Sequence, residues 1–116
     1  MTKKDILKIL DRILDPDLRN RSIVEMGFVR EDDIEMNEEE IRVHYTVGGP
    51  LCPYSAAVGV IIHRALSTAS SKKIRVRIKE EHYQRDLVNQ ILEDENQLNE
   101  WFEKIKDQNL LALCQR

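Results

Sequence analysis

The chain has 116 residues, of which 41% are hydrophobic and 34% are charged, and its formal net charge is -3. This length fits one domain and excludes two with separate cores, and the hydrophobic content excludes a disordered chain. A mildly acidic protein has no global attraction to nucleic acid or to anionic membranes, and no stretch approaches the ~20 apolar residues that span a bilayer.

The N-terminus leads into a charged amphipathic segment and not into an apolar signal core, so we expect a cytoplasmic protein. Its two cysteines, Cys52 and Cys114, are too few for a disulfide framework and are expected to be thiols. Residues 3–14 predict a first amphipathic helix. Asp15-Pro16-Asp17 ends it, because the residue before a proline avoids the α region.

Residues 23–29 bring in apolar and β-branched side chains, and we expect a first strand to begin near Phe28. The acidic residues 31–40 then predict the tip of a hairpin between two antiparallel strands. A partner-binding patch is the alternative interpretation of this acidic run.

The second strand is predicted from residue 41 to 47, where apolar and polar side chains alternate. Gly48-Gly49-Pro50 ends it. A third strand is predicted at residues 73–79, with an outer face of basic side chains. Charged protection of an edge strand explains that face better than nucleic-acid binding, since no aromatic side chains interleave to stack on bases. The alternation assigns the following side chains of the second strand to the core: Ile41, Val43, Tyr45 and Val47.

Residues 52–67 predict a central helix with a wide apolar surface. From Glu80 onward the chain is predicted to be helical, with Asp94-Glu95-Asn96 dividing it into two helices. This tail either folds back on the domain or forms a dimer contact. The predicted fold is therefore α+β: an α-β-β-α-β domain over residues 1–80, with a mixed three-stranded sheet packed by helices, and a helical extension over residues 81–116.

The chemistry of the chain is predicted to centre on Cys52, which follows a glycine turn and precedes Pro53. Proline suits the first position of a helix, so Cys52 falls at or beside the N-cap, where free N–H groups and the helix dipole favour a thiolate. Gly48 and Gly49 let backbone approach a bound group closely. The alternative is a small apolar filler beneath the helix start. One cysteine cannot complete a tetrahedral metal site, so a metal or cluster needs ligands from a second chain or a partner.

Two further sets of side chains are weaker candidates. Asp15 and Asp17 form a carboxylate pair, or they serve only to make the turn. A thiol enzyme with Cys52 as nucleophile needs a general base, and His44 is the one candidate, since it shares a strand face with Thr46.

Taken in order, the motifs Asp15-Pro16-Asp17-Leu18, residues 23–29 and residues 45–53 resemble those of the metal–sulfur cluster assembly factor family. This family includes PaaD-like and SufT-like proteins and cytosolic iron–sulfur targeting subunits, and the resemblance covers residues 3–79. It implies an α/β fold and a role in assembling iron–sulfur clusters or delivering them to apo-proteins. It also implies one pocket that contains Asp15, Asp17, Thr46 and Cys52.

Three positions depart from the family pattern. Asp17 replaces a glutamate, Gly48 replaces a second threonine, and Leu51 replaces the glycine before Cys52. We expect a non-enzymatic accessory factor in which Cys52 contacts iron or a cluster transiently, with no tightly bound cofactor. Expected partners are iron–sulfur assembly proteins, apo-protein clients or a second copy in a homodimer, with no nucleic acid and no membrane. The alternative is an interaction adaptor with a structural Cys52.

Overall fold

The computed structural model describes residues 2–14, 20–47, 55–79 and 84–107. Within these ranges the order of helices and strands confirms the predicted α+β fold with helices at its C-terminal end. None of the described helices has the length and apolar character needed to cross a bilayer. Besides a short 3-10 helix, Glu31–Asp33, the elements are α1 (Lys3–Leu10), β1 (Ile34–Met36), β2 (Glu40–Tyr45), α2 (Ser55–Ala69), β3 (Lys73–Ile78), α3 (Arg85–Glu93) and α4 (Glu95–Asp107).

The three strands form one mixed sheet in the order β1-β2-β3. β1 is antiparallel to β2, and β3 is parallel to it. As predicted, alternate side chains of β2 and β3 face the core. The fully or almost fully buried ones are Ile41, Val43 and Tyr45 on β2 and Ile74, Val76 and Ile78 on β3.

The C-terminal helices fold back on the domain, as one of the two predictions for the tail proposed. Side chains from both belong to the same buried cluster as the sheet and α2; they are Val88, Ile91, Leu92, Leu98 and Ile105. The division between the two helices is also confirmed, because the Asp94 carboxylate accepts hydrogen bonds at the start of α4. The Gln97 side-chain amide, followed by backbone N–H groups, holds the pKa of Asp94 below its ordinary value.

Helix α1 begins as expected and ends earlier. Thr2 and Asp5 exchange hydrogen bonds between side chain and backbone (3.2 and 2.8 Å), which forms a capping box. These bonds, from the Thr2 backbone first, lower the pKa of Asp5. The helix ends at Leu10 and not at residue 14, because Leu14 pairs with Ser22 in an antiparallel bridge.

Residues 22–28 fold into a single capped turn, so the prediction of a strand near Phe28 is wrong. Ser22 Oγ accepts from the Glu25 N–H (3.0 Å), and the Glu25 carboxylate accepts from the Ser22 N–H (3.2 Å). Gly27 has a φ of 75°, a left-handed conformation that ends such turns. These local hydrogen bonds outweigh the β propensity of the apolar side chains.

The first strand lies inside the acidic segment, which was predicted to be only a hairpin tip. β1 pairs Ile34 with Val43 and Met36 with Ile41. The true tip is shorter, since the Asn37 side chain accepts from the backbone N–H groups two and three residues later (both 2.8 Å). The antiparallel pairing is as predicted, while the strand starts about six residues later than expected.

Candidate functional site

Thr46 lies directly after β2 and is half-buried. Its N–H donates to the carbonyl of Phe28 (2.9 Å), so the strand end is fixed to the capped turn beside it. By alternation Thr46 shares the polar face of β2 with His44, which is also half-buried. The remaining predicted pocket residues, Asp15, Asp17, Gly48, Gly49 and Cys52, lie outside the described residues.

The segment that carries Cys52 is held at both ends by one buried hydrogen bond. Tyr45 Oη, at the end of β2, donates to the backbone carbonyl of Ser55, at the start of α2 (2.6 Å). Both residues are buried, with 0% and 4% exposure. A buried phenol needs such a partner, and here the partner brings the two flanks of residues 48–54 together.

Gly59 makes this arrangement sterically possible. It lies one turn after Ser55 on α2, and an added Cβ would come within 2.9 Å of both Tyr45 Cζ and Leu92 Cδ2. Because contacts below 3.0 Å are forbidden to a real Cβ, only glycine lets the tyrosine ring cross the helix here. The position of α2 against the end of β2 therefore depends on this glycine.

The described residues on the two sides of the segment that carries Asp15 and Asp17 also pair with each other. Leu14 bridges to Ser22, and the Ile23 N–H donates to the carbonyl of Ile13 (2.9 Å). Ser22 is fully buried, and its hydroxyl donates to the carboxylate of Asp11. The described stretches before and after this segment therefore lie side by side.

Backbone hydrogen bonds connect the end of β2 with the flank of the segment that carries Asp15 and Asp17. Thr46 donates to Phe28, Phe28 donates to Ile23, and Ile23 donates to Ile13, each at 2.9 Å. The end of β2 and the flank of the segment that carries Asp15 and Asp17 are therefore connected through the capped turn. The pocket that would bring Asp15, Asp17 and Cys52 to Thr46 remains a prediction.

A lysine and an aspartate near Thr46 form an ion pair. Lys79 donates its N–H to the carbonyl of Tyr45 (2.8 Å), and its ammonium lies 3.0 Å from the Asp33 carboxylate, with side-chain exposures of 29% and 15%. Extension of the β1–β2 register places Asp33 opposite His44. Sequence reasoning missed this pair, although Lys79 continues the polar side of β3 by alternation.

The described residues do not by themselves form a metal site of three or more side chains. Among them, no group of three or more His, Cys, Asp or Glu side chains could hold a metal ion. A transient iron contact at Cys52 remains a prediction, as does a reaction between His44 and Cys52.

The comparison with known families agrees with the resemblance in the motifs. The family model described as iron-sulfur cluster assembly protein matches residues 3–78. The match runs from α1 to the end of β3 and spans both segments that carry the predicted pocket. Helices α3 and α4 follow the matched part. No curated protein matches the chain.

Proposed function

We propose that this chain, which belongs to the iron–sulfur cluster assembly protein family, is an accessory factor that receives iron or a nascent cluster on Cys52 and passes it to an apo-protein. Its involvement in iron–sulfur cluster assembly follows from the family. The observation that supports the more specific role is the hydrogen-bonded connection from Thr46 to Ile13. It connects the flanks of the two motif-bearing segments through the capped turn.

The chemistry of the thiol supports a role in handling iron. Thiolate is the ligand that holds iron–sulfur clusters, and Cys52 stands three residues before the described start of α2. Backbone N–H groups and the positive end of a helix dipole favour the thiolate form at such a place. A single thiolate leaves most ligand positions of a cluster open, so the acceptor or another assembly protein supplies the rest. Transient binding is the expected consequence.

The other predicted pocket residues have supporting roles in this proposal. The carboxylates of Asp15 and Asp17 compensate the positive charge of an arriving iron ion, and the hydroxyl of Thr46 donates to the thiolate or to sulfide. Gly48 and Gly49 leave room for the cargo beside the backbone. The Tyr45–Ser55 hydrogen bond holds the two flanks of the cysteine segment together when cargo binds.

Anaerobic reconstitution with iron and sulfide tests the proposal. Wild type, Cys52→Ala and Cys114→Ala are compared for iron and sulfide bound per chain and for the visible absorption of a cluster. We expect Cys52→Ala to lose most of the uptake and the matched control Cys114→Ala to retain it. Equal uptake by wild type and Cys52→Ala excludes Cys52 as the direct ligand.

Delivery is tested separately from binding. Reconstituted wild type is mixed with an apo-protein acceptor of a [2Fe–2S] cluster, and cluster appearance on the acceptor is followed by circular dichroism. We expect transfer to be faster than from free iron and sulfide at the same concentration. No acceleration contradicts the delivery role, whatever the result for uptake.

An interaction adaptor with a structural Cys52 is the second candidate, and the replacement of a family threonine by Gly48 favours it. Thiol titration of the native protein distinguishes the two. A Cys52 that reacts near neutral pH no faster than a free thiol favours the adaptor, whereas faster reaction favours the thiolate.

A further inference from the structure

Four side chains form a cluster on the outer face of the sheet, which points away from the core. They form two cross-strand pairs between β2 and β3, Arg42 with Arg75 and His44 with Arg77. Neighbouring strands lie about 4.8 Å apart, and residues two positions apart along one strand are separated by about 6.6 Å. The four Cα atoms therefore stand at the corners of a small rectangle. We call these four residues the arginine cluster.

A depression of about 150 Å³ lies within the arginine cluster. Its lining consists of the four cluster residues and Val43, and none of these described residues carries a carboxylate. The side chains of Arg42, Arg75 and Arg77 are 51%, 49% and 47% exposed. The depression is therefore open to solvent and surrounded by positive charge. Sites for whole drug-sized ligands measure about 300–1,000 Å³, so this one fits a single small group of a ligand.

Protection of an edge strand does not account for the arginine cluster. β2 is the central strand of the sheet, so charges on it protect no edge. Like charges directly opposite each other on neighbouring strands destabilise a sheet, and Arg42 opposite Arg75 is such a pair. Departures from a local rule of this kind are expected at functional sites. An anionic ligand between the strands would supply the missing compensation.

Two carboxylates contact the arginines from the rim of the depression. Glu40 pairs with the Nε atoms of Arg42 and Arg75, the second at 3.4 Å. Glu93 pairs with one terminal nitrogen of Arg77. Three guanidinium groups thus share two carboxylates, and the terminal nitrogens of the first two arginines can donate to a further group. Because exposed ion pairs are weak, they do not prevent a ligand from binding.

The number of guanidinium groups favours a phosphate group over a carboxylate. Each guanidinium presents a planar fork of N–H donors that matches two acceptor oxygens. A carboxylate has only two oxygens, whereas a phosphate group has three terminal oxygens and accepts from forks on three sides.

The surroundings of the arginine cluster favour a small ligand over a large anionic surface. Glu35 is exposed and stands opposite Arg42 on β1, so carboxylates flank the cluster on both sides. The whole chain has a net charge of -3. A membrane of anionic lipids or a nucleic acid would meet this negative charge, and a single phosphate group on a small molecule would not.

We propose that the arginine cluster binds the phosphate group of a small soluble molecule. The three guanidinium groups hold its oxygens, and the His44 imidazole adds one more N–H donor. The site lies on the polar face of β2, two residues before Thr46. It is therefore close to the end of the strand but separate from the predicted cysteine pocket. The proposal does not depend on Cys52 or on bound iron.

Inorganic phosphate is the probe, and NMR of the full chain labelled with ¹⁵N is the measurement. Phosphate is added at constant ionic strength and slightly alkaline pH, and sodium acetate is the carboxylate control. We expect saturable shifts of the Val43 amide and of the arginine side-chain N–H signals of the cluster. Acetate should bind more weakly and shift these signals less at the same concentration.

Three variants separate the contributions of charge and of the guanidinium fork. Arg75→Gln should raise the dissociation constant of phosphate at least about tenfold. Arg75→Lys keeps the charge without the fork, so its constant should lie between those of wild type and Arg75→Gln. The matched control is Arg85→Gln, at an exposed position that begins α3, which should bind like wild type. Circular dichroism and thermal unfolding check that each variant is folded.

Four results overturn the proposal. One is the absence of saturable shifts in the cluster, and another is equal binding of phosphate by wild type and Arg75→Gln. Equal affinity for acetate and phosphate contradicts the choice of a phosphate group. Co-sedimentation with vesicles of phosphatidylcholine and phosphatidic acid, if Arg75→Gln abolishes it, assigns the cluster to a lipid headgroup instead of a soluble molecule.

Discussion

Backbone groups at the end of β2 are hydrogen-bonded to neighbouring segments, whereas the outer edge of β3, which pairs with none of the described strands, is covered by packed side chains that leave Val76 only 1% exposed. At the first place Thr46 and Tyr45 contact the capped turn, the strand beside them and the start of α2. At the second, α2 and α3 pack against the strand, and a groove of about 560 Å³ lies beside it, with His63 and Ser67 of α2 and Leu98 of α4 in its lining.

This difference shows two ways in which the same small sheet is stabilised. The end of β2 is a frame held by hydrogen bonds of its main chain and of the Tyr45 hydroxyl. The outer edge of β3 is covered by packed side chains and by the Asn89 amide. We therefore expect substitutions at the frame to cost more folding stability than substitutions at the rim of the groove.

Gly59→Ala should have the largest effect on the frame. The added methyl group collides with the Tyr45 ring and with Leu92, each at 2.9 Å or closer, and neither neighbour is free to move in the core. Overpacking of this kind typically costs about 1–3 kcal/mol, and displacement of the ring also strains the buried hydrogen bond. We expect about 3 kcal/mol of lost unfolding free energy, measured by urea denaturation.

The double variant Gly59→Ala/Tyr45→Phe is the control for this explanation. Removing the hydroxyl relieves the collision with Tyr45 Oη, so the two substitutions together should cost less than the sum of the single ones. Additive costs would mean that the methyl group acts through some other contact.

Tyr45→Phe alone should have a smaller effect. It removes the donor to the Ser55 carbonyl (2.6 Å) and preserves the ring. Loss of one buried hydrogen bond costs about 1–2 kcal/mol, and we expect the urea midpoint to fall with an unchanged slope. A variant as stable as wild type contradicts the role assigned to this bond in fixing α2 against β2.

The sheet and the central helix could be predicted because their side chains obey a simple period. Alternation placed Tyr45 in the core and Arg75 outside, and the apolar run placed α2 correctly from Ser55 onward. β1 was misplaced because its two apolar side chains, Ile34 and Met36, lie within an acidic run. The Ser-x-x-Glu pattern that begins at Ser22 is the signal that identifies the capped turn, and the strand-like composition of residues 23–29 obscured it.

The site could be predicted only in part. The position of Thr46 at the end of a polar strand face follows from the sequence, and the family resemblance is confirmed. The Tyr45–Ser55 bond and the role of Gly59 could not be predicted, because they depend on where two distant elements cross. A glycine inside an apolar helix is nevertheless a readable sign of close packing. The groove beside β3 depends on three helices at once and leaves no local pattern.

At the edge of β3, Asn89→Ala should have an intermediate effect. Its side chain satisfies the Ile78 N–H (2.8 Å), so its loss should cost about 1 kcal/mol and remove the partner of that N–H. Hydrogen exchange of the Ile78 amide should become faster, while that of Tyr45 stays the same. Asn99→Ala, at an exposed position of α4, is the matched control and should change neither quantity.

The smallest effect is expected for His63→Gln at the side of the groove. Burial first, and then the nearby Arg64 charge, lower the pKa of His63 from its ordinary 6.5, against the opposing influence of Glu95 and the Ile74 backbone. The unfolded chain thus binds a proton more readily than the folded one in this range. Above pH 6.5, titration of His63 does not reduce the free energy of unfolding. This free energy decreases as the pH falls from 6.5 through the folded pKa of His63, because the unfolded chain takes up the proton first.

His63→Gln should therefore reduce the loss of unfolding free energy between neutral pH and about pH 5, measured by urea denaturation at several pH values. The matched control is His44→Gln, on the polar face of β2. This variant should retain the part of the decrease in unfolding free energy that is due to His63, because His63 is unchanged in it. If His63→Gln and wild type lose stability in parallel over this range, the imidazole is equally protonated in both states. In that case its burial beside the groove has no influence on its charge.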